Sequence, residues 1–483
     1  MSDAYEAVIG LEVHAELSTR TKMFCGCSTE FGGEPDTRVC PVCLGLPGSL
    51  PVANEKAVEY VVRTGLALSS HIAEFTQFHR KNYFYPDMAK NYQISQYDLP
   101  ICVGGHLDIR VDGQARRVGI TRVHLEEDTG KLIHVGGEGR IAGADYSIVD
   151  FNRSGIPLME IVSEPDIRTP EEGVAYAQSL RAILLYLGVS DCSMEQGSLR
   201  CDANVSIRPV GSTDLGVKTE VKNMNSFRAL GRALAYETER QKRALADGEQ
   251  IVQETRHWDA AKNVTTQMRS KEYAHDYRYF ADPDLVPIVF DRDWIVELTE
   301  ALPELPVQRE QRLMDTLGLP AQDAYTLVAD KALADLFEAT VDAGAPAKPA
   351  ANWVLGELSA ALNASGQTVT RSKLGPAELA GLIRLIEDGT ISGKIAKEVF
   401  AEMFETGADA EAIVESKGLT LISDAGAVGG FVDEAIAANA GAVEDFRAGK
   451  DTAVKFLVGQ VMKLSRGQVD PKLAEDLLRQ RLG

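Results

Sequence analysis

Four of the seven cysteines fall close together, as the pairs Cys25-x-Cys27 and Cys40-x-x-Cys43. Two closely spaced pairs with twelve residues between them are typical of two knuckles that close a tetrahedral thiolate site, which suits Zn²⁺. A shell of four thiolates leaves no position for a substrate, so the predicted role is structural. The alternative is four reduced cysteines in a surface loop. An odd number of unevenly placed cysteines does not indicate a disulfide framework.

A second group of residues is rich in carboxylates. Glu12 and His14 lie two apart on one face of a predicted strand, so both can bind one cation. Segment 124–128 adds Glu126 and Glu127, and other alternating segments add Glu160, Asp202 and Glu220. Oxygen ligands gathered in this way suit a Mg²⁺ ion that bridges phosphate groups. The alternative for each carboxylate is a solvated strand face.

Two segments rich in amide, hydroxyl and basic side chains predict a phosphate-binding surface. Segment 150–155 precedes a strand, and segment 220–226 runs into a predicted helix start, where backbone N–H groups attract anions. The candidates are Asn152, Arg153, Ser154, Lys222, Asn223, Asn225 and Ser226, with Asp202 and Asn204 on a neighbouring segment. Helix capping alone also explains Asn225 or Ser226.

Segments 80–87 and 91–98 are rich in both aromatic and polar residues. Rings beside Arg, Lys, Asn and Gln suit an adenine or the end of a single-stranded nucleic acid. Composition alone favours the other interpretation, in which these rings fill the core.

The elements that carry these residues are predicted from periodicity. In segment 9–17 the odd positions are apolar, and Glu12, His14 and Glu16 share the other face. Segments 199–208 and 217–222 repeat this pattern. Sheets with one polar face are usually antiparallel, so an antiparallel sheet is expected in the N-terminal part of the chain.

Helix signals interrupt these strands twice and then dominate the chain. One helix should follow Thr169-Pro170 and end at Gly188, and a second should follow Asn225-Ser226 and end near Gly248. After Phe290, helical periodicity continues in segments 298–316, 323–342, 350–363 and 376–388. The predicted fold class is α+β, with an antiparallel-sheet domain followed by all-α domains.

Composition excludes several classes of protein. A net charge of −21 argues against coating nucleic acid by bulk electrostatics, but leaves room for local basic patches. The sequence contains no phosphate-binding P-loop motif, no dinucleotide-binding glycine motif and no nucleophile elbow. No long apolar run or secretion signal is present, so a cytoplasmic protein that does not bind membranes is expected.

Taken together, the motifs resemble those of the B subunits of bacterial tRNA-dependent amidotransferases. The matching stretches cover nearly the whole chain, and they include 8–17, 80–87, 91–98, 124–131, 150–166, 197–209, 220–227, 253–259, 276–287, 386–400 and 456–471. The resemblance implies a cradle domain over 1–292, a helical domain over 293–407 and a small helical tail over 408–483 that recognises tRNA.

The resemblance also implies a reaction. The cradle binds ATP and Mg²⁺ and phosphorylates the side-chain carboxylate of Glu or Asp on mischarged tRNA. The A subunit, an amidase, then supplies ammonia, and the C subunit braces the heterotrimer. The catalytic residues would be Glu127, Glu160, Lys222 and Arg153, with Mg²⁺ held by Glu12, His14, Glu126, Glu127 and Glu220. Members of the family differ at the cysteines, so zinc would be a structural option.

Two rival hypotheses belong to other classes. The first is a zinc-ribbon scaffold that binds RNA without chemistry of its own. The second is a carboxylate kinase that acts on a small metabolite, although such a substrate needs no long helical recognition region.

Overall fold

The computed structural model describes residues 4–136, 143–268, 277–422, 424–465 and 467–483. These residues form two compact units, Met1–Pro306 and Val307–Gly483. Two residues of the matching stretches, Asp276 and Arg466, lie outside the described residues. Within the described ranges, no helix is both long and apolar enough to cross a membrane.

The first unit is rich in strands. They are β1 (Tyr5–Glu16), β2 (His71–Ile72), β3 (Phe75–Thr76), β4 (His79–Asn82), β5 (Tyr92–Ser95), β6 (Cys102–Val103), β7 (His106–Val111), β8 (Gln114–Glu127), β9 (Lys131–Val135), β10 (Tyr146–Asp150), β11 (Pro157–Ser163), β12 (Leu199–Pro209), β13 (Thr219–Lys222), β14 (Thr255–Asp259), β15 (Val264–Gln267), β16 (Phe280–Ala281) and β17 (Ile288–Val289). Its helices are α1 (Glu55–Ala67), α2 (Pro170–Leu187), α3 (Phe227–Ala246) and α4 (Arg292–Glu300).

The main sheet contains ten of the strands in the described part of the chain. Their order is β15-β14-β13-β12-β1-β11-β8-β6-β2, with β7 also paired to β8. Neighbouring strands are antiparallel except β13 and β14, which are parallel. A smaller sheet, in the order β16-β4-β5, lies beside β8. The mainly antiparallel sheet agrees with the alternating sequence pattern.

One face of the main sheet is apolar and the other is polar. On β1, Ile9, Leu11 and Val13 are buried in a core that also takes in residues of α1, α2 and α3. The alternate residues Glu12 and His14 are only partly buried and point to the opposite face. The helices therefore cover the apolar face of the sheet, and the polar face is available for a functional site.

The two helices predicted from capping residues are confirmed as α2 and α3. Thr169 caps α2 by accepting from the backbone N–H of Glu172, and Gly188 ends it with a left-handed φ of 66°. Ser226 caps α3 in the same way. Helix α1 is an addition to the elements predicted from the sequence. Asn54 caps it, and its apolar residues join the same core.

The second unit is helical. Its helices are α5 (Pro306–Leu317), α6 (Ala321–Val328), α7 (Lys331–Asp342), α8 (Ala347–Trp353), α9 (Ser359–Ser365), α10 (Pro376–Glu387), α11 (Gly393–Thr406), α12 (Ala410–Lys417), α13 (Ala425–Ala438), α14 (Ala440–Arg447), α15 (Thr452–Leu464) and α16 (Pro471–Leu482). A π-helical turn at Val354–Leu358 joins α8 to α9. One apolar core takes in residues from Leu313 to Val414, and a separate core takes in residues from Val428 to Leu482.

A buried carboxylate ties α3 to the edge of the main sheet. Glu237 is fully buried and accepts hydrogen bonds from Arg240, from Gln241 and from the hydroxyl of Thr265 on β15. The Arg256 guanidinium on β14 lies 3.6 Å from the same carboxylate. A buried charge is tolerated here because each carboxylate oxygen is hydrogen-bonded.

Replacing Glu237 by Ala should lower the free energy of unfolding by about 3–5 kcal/mol, because Arg256 and Thr265 would lose a buried partner. The matched control is Glu239→Ala on the same helix, where an exposed carboxylate pairs with Lys242 at 3.5 Å. That change should cost about 1 kcal/mol or less. Urea denaturation measures both values, and similar small losses would contradict the role given to Glu237.

Candidate functional site

The register of four strands places ionisable side chains in two adjacent rows on the polar face. His14 on β1 is paired with Glu160 on β11, and Glu160 is paired in turn with His124 on β8. On the other side of β1, Glu12 is paired with Asp202 of β12. Directly opposed residues of neighbouring strands point to the same face, so residues distant in sequence meet here.

We call Glu12, His14, Glu126, Glu160 and Asp202 the acidic cluster. The His14 Nε2 atom lies 3.3 Å from Glu160 Oε2, 3.7 Å from Glu12 Oε1 and 3.9 Å from Glu126 Oε1. Two sets of donor atoms each lie within 4.8 Å of one another: His14 with Glu126 and Glu160, and Glu12 with His14 and Asp202. Either set could hold a divalent cation, and His14 is common to both.

Burial and mutual charge shift the proton affinities in this cluster. Burial would lower the pKa of His14, but its hydrogen bond to Glu160 and the surrounding carboxylates outweigh this and raise the pKa to about 9. Although burial opposes it, the charges of His124 and His14 hold the pKa of Glu160 below its usual range. Burial and the Glu160 charge raise the pKa of Glu12 to about 7. In the absence of a cation, a protonated His14 compensates the carboxylates.

Cationic side chains surround the acidic cluster. The Lys222 ammonium lies 2.8 Å from Asp202 and 3.0 Å from Glu220. Arg200, opposite His14 on β12, pairs with the buried Asp128 at 2.6 Å. These groups provide positive charge at the edge of a negative surface, as an anionic substrate requires.

The acidic cluster opens into a cleft of about 420 Å³. Its walls also carry Lys222, Asn223 and Asn225 from the predicted phosphate-binding segment. Asn223 adopts a left-handed φ of 70° directly after β13, a conformation that asparagine tolerates well, and this turns the chain towards α3. Carboxylates, cations and amides that are distant in sequence thus line one cleft.

Glu126 and Glu127 lie on opposite sides of β8. Ser95 donates to the Glu126 carboxylate at 3.1 Å, and Glu126 lines the cleft. Glu127 instead accepts hydrogen bonds from the Lys90 ammonium and from the backbone N–H of Ile94. Glu127 is buried and does not line this cleft. The structure therefore brings Glu126, and not Glu127, to the acidic cluster.

The remaining predicted residues lie outside this cleft. Arg153 donates to the backbone oxygens of Thr129 and Gly130, and Ser154 is buried. Asn204 lies on β12 opposite Gly10, and the Glu220 carboxylate accepts a hydrogen bond from the Thr255 hydroxyl at 2.9 Å. Ser226 caps α3, so helix capping accounts for this residue.

The four clustered cysteines converge. Their Sγ atoms lie within 4.8 Å of one another, and Cys43 Sγ is 3.9 Å from Cys40 Sγ. The hydrogen bond from Cys25 lowers the pKa of the Cys43 thiol to about 5 despite its burial. A stabilised thiolate among three further thiols is a donor set that suits a thiophilic divalent cation such as Zn²⁺.

The loop around the cysteines is fixed to the turn after β10. The backbone N–H of Asp36 donates to the Asp150 carboxylate, and the backbone N–H of Phe151 donates to the Asp36 carboxylate. Asn152 accepts from the backbone of Arg38 at 2.8 Å and donates to the backbone oxygen of Glu34 at 2.7 Å. Asn152 therefore holds the cysteine loop in place.

The cleft also takes in Lys81, Gln93 and Arg200, which are not among the site residues predicted from the sequence. Lys81 and Gln93 lie on β4 and β5 of the smaller sheet, within the aromatic segments for which composition favours the core. Arg200 lies in the alternating segment 199–208, on the polar face. The sequence does carry a signal for Arg200, because it shares a face with Asp202.

Two family models match the chain. Residues 7–296 match the model described as the GatB/GatE catalytic domain, and residues 335–482 match the model described as the GatB domain. The first match covers the unit that holds the acidic cluster and its cleft, so the class of protein is defined as one with a GatB/GatE-type catalytic domain.

Full-length relatives narrow this class. The B subunit of the aspartyl/glutamyl-tRNA(Asn/Gln) amidotransferase from Moorella thermoacetica is 58% identical over 99% of this chain and 100% of its own length. Proteins of the same name from Carboxydothermus hydrogenoformans and Geobacter sulfurreducens are 55% and 54% identical, over 99% of each chain. The chain belongs to the family of aspartyl/glutamyl-tRNA(Asn/Gln) amidotransferase B subunits, which confirms the resemblance found in the sequence.

The two adjacent glutamates allow a matched test of the acidic cluster. Glu126→Gln should weaken binding of Mn²⁺, used as a probe for divalent cations, by about tenfold or more, because it removes a donor. Glu127→Gln should leave this affinity unchanged, since that carboxylate faces Lys90. Calorimetric titration measures both affinities. A loss only in the Glu127 variant would place the cation on the other side of β8.

Proposed function

We propose that this chain is the ATP-using B subunit of an enzyme that converts Glu-tRNA(Gln), Asp-tRNA(Asn) or both into Gln-tRNA(Gln) and Asn-tRNA(Asn). The name shared by the full-length relatives supports this assignment. The observation that carries it is the acidic cluster, open to a cleft of about 420 Å³ and bordered by Lys222 and Arg200.

The reaction requires activation of a carboxylate. The side-chain carboxylate of the esterified Glu or Asp is a poor electrophile, so one of its oxygens takes the γ-phosphoryl group of ATP and ADP leaves. Ammonia then attacks the carbonyl carbon, and the amide forms as phosphate leaves. Transfers of this kind need positioning and charge neutralisation more than a protein nucleophile.

The described residues of the cleft meet those requirements, and none of them is an activated nucleophile. Cys201 lines the cleft, but the buried thiol has a raised pKa and remains protonated. Lys222, held between Asp202 and Glu220, keeps its charge and can bind phosphate oxygens. The side chains of Asn223 and Asn225 offer amide donors on the same wall. Together these groups orient the phosphate and the substrate carboxylate.

The acidic cluster fits Mg²⁺, because each of its two donor sets offers carboxylate oxygens and one imidazole within 4.8 Å of one another. The ion would be held either by His14, Glu126 and Glu160 or by Glu12, His14 and Asp202. When bound, Mg²⁺ neutralises phosphate charge. The low pKa of Glu160 supports this role, since that carboxylate stays ionised over the physiological range.

Ammonia must come from another polypeptide. Neither the sequence motifs nor the described residues that line the cleft offer a nucleophile suited to hydrolysing glutamine. We assign this step to an amidase, the A subunit, with a small C subunit completing a heterotrimer. We divide the chain into a cradle domain over 1–292, a helical domain over 293–407 and a helical tail over 408–483. The helical tail is assigned to recognition of the tRNA.

The cysteine cluster is assigned to structural zinc, held by Cys25, Cys27, Cys40 and Cys43. Four protein donors complete a tetrahedral shell, so this ion takes no part in the reaction. Its role is to fix the loop that also packs on the turn after β10.

The assay that tests this function follows amide formation by the chain with its partner subunits. Gln-tRNA(Gln) should form from Glu-tRNA(Gln) only when ATP, Mg²⁺ and glutamine are all present. Asp-tRNA(Asn) should be tested in parallel.

Glu126→Gln should abolish tRNA-dependent ATP hydrolysis and leave glutamine hydrolysis intact. Glu127→Gln tests the catalytic role that the sequence predicts for Glu127. Unchanged tRNA with both substrates would favour an RNA-binding scaffold.

Zinc removal should lower stability more than catalysis. Cys43→Ser should abolish bound zinc and lower the melting temperature by about 5 °C or more, because folding free energy is linked to metal binding. The amidation rate per folded molecule should change little at low temperature. Cys192→Ser, outside the cluster, should retain zinc as measured by elemental analysis. Equal losses of rate and stability would contradict a structural role.

A further inference from the structure

A group of tyrosines lies on the small sheet next to the cleft. Tyr97 follows β5 and stacks on Tyr279, with ring centroids 4.3 Å apart and planes 14° apart. Tyr277 meets Tyr279 edge to face, and Tyr83 meets Tyr277 in the same way. We call Tyr83, Tyr97, Tyr277 and Tyr279 the tyrosine cluster.

This cluster is not core. Tyr97 remains 60% exposed although it is stacked, Tyr83, Tyr277 and Tyr279 are only partly buried, and Phe84, next to Tyr83 in the sequence, is 72% exposed. Mutually stacked aromatic rings left partly in water beside a cleft indicate a binding surface. The composition-based interpretation, in which the rings of segments 80–87 and 91–98 fill the core, is therefore wrong for Phe84 and Tyr97.

The cluster is built in a defined conformation. Asn82 on β4 donates to the backbone oxygens of Tyr277 and Arg278 at 3.2 and 2.8 Å. Its own backbone N–H also donates to the Tyr277 oxygen, at 3.0 Å. The segment that carries Tyr277 and Tyr279 is thus held against β4, so the rings form a preorganised stacking surface.

The cluster is continuous with the acidic cluster. Gln93, Ser95 and Tyr97 are spaced two apart; Gln93 lines the cleft, and Ser95 donates to Glu126. The Lys81 ammonium also lines the cleft and lies 5.0 Å from the centre of the Tyr277 ring. Burial raises the pKa of Tyr279, and the nearby Glu126 and Glu160 charges add to this effect.

We propose that the tyrosine cluster binds the unpaired bases at the 3′ end of the aminoacylated tRNA. The inference rests on the proposed function, because the amino acid is esterified to the terminal ribose. When its carboxylate lies in the cleft, the terminal base must lie within the combined length of one aminoacyl group and one ribose. Aromatic rings stack on any base, and Lys81 offers positive charge to the backbone.

Tyr97 is the residue to change, because its exposed ring contributes little to the core. Tyr97→Ala in the assembled full-length protein should weaken binding of intact, uncharged tRNA(Gln) about tenfold, whereas Tyr97→Phe should bind like the parent. The matched control is Tyr146→Ala, which removes a 58% exposed tyrosine from β10 and should change nothing. Filter binding at fixed salt measures these affinities.

A second RNA isolates the contact with the terminus. For tRNA(Gln) lacking its unpaired 3′ end, the parent and Tyr97→Ala should bind equally well, since the stacking partner is absent from both complexes. Equal weakening for intact and trimmed RNA would overturn the proposal, because the ring would then act elsewhere. A raised KM for ATP with unchanged RNA binding would also overturn it, in favour of the adenine of ATP.

The outcomes for the proposed function and for the tyrosine cluster are separable. RNA binding is measured without catalysis. If Tyr97→Ala weakened binding of intact tRNA only, in an assembly that forms no amide, the result would support RNA binding by the tyrosine cluster and reject the proposed amidation. Normal amidation, with Tyr97→Ala indistinguishable from the parent on both RNAs, would reject only the cluster.

Discussion

The two-residue period of β1 is the constraint on which the rest of the first unit depends. Ile9, Leu11 and Val13 enter the core, and this commits Glu12 and His14 to the polar face. A shift of one residue in register would exchange the two sets. The hydrophobic core therefore fixes the face of the sheet on which the ionisable groups of this central strand lie.

The acidic cluster is held together by opposite charges as well as by the sheet. Carboxylates this close repel one another when ionised, and burial adds a cost. His14 offsets this around Glu160, and Lys222 does so between Asp202 and Glu220. The native fold thus keeps a concentration of negative charge that a cation would stabilise further.

The sequence predicts what depends on local pattern and misses what depends on long-range packing. Alternation in 9–17 places Glu12 and His14, and capping residues locate α2 and α3. Spacing also brings the four cysteines together. The choice between Glu126 and Glu127 depends on which side of β8 faces the cleft, and no local pattern decides it. Lys81 reaches the site because the smaller sheet lies beside β8, a contact that periodicity does not reveal.

The loop that carries the cysteines has two independent anchors. One is the set of four converging thiols, and the other is the group of hydrogen bonds that joins Asp36 and Arg38 to Asp150 and Asn152. Redundant anchors relax selection on each of them. A descendant that lost a cysteine would keep part of its loop geometry, so the metal ligands are free to drift during evolution while the polar face of β1 is not.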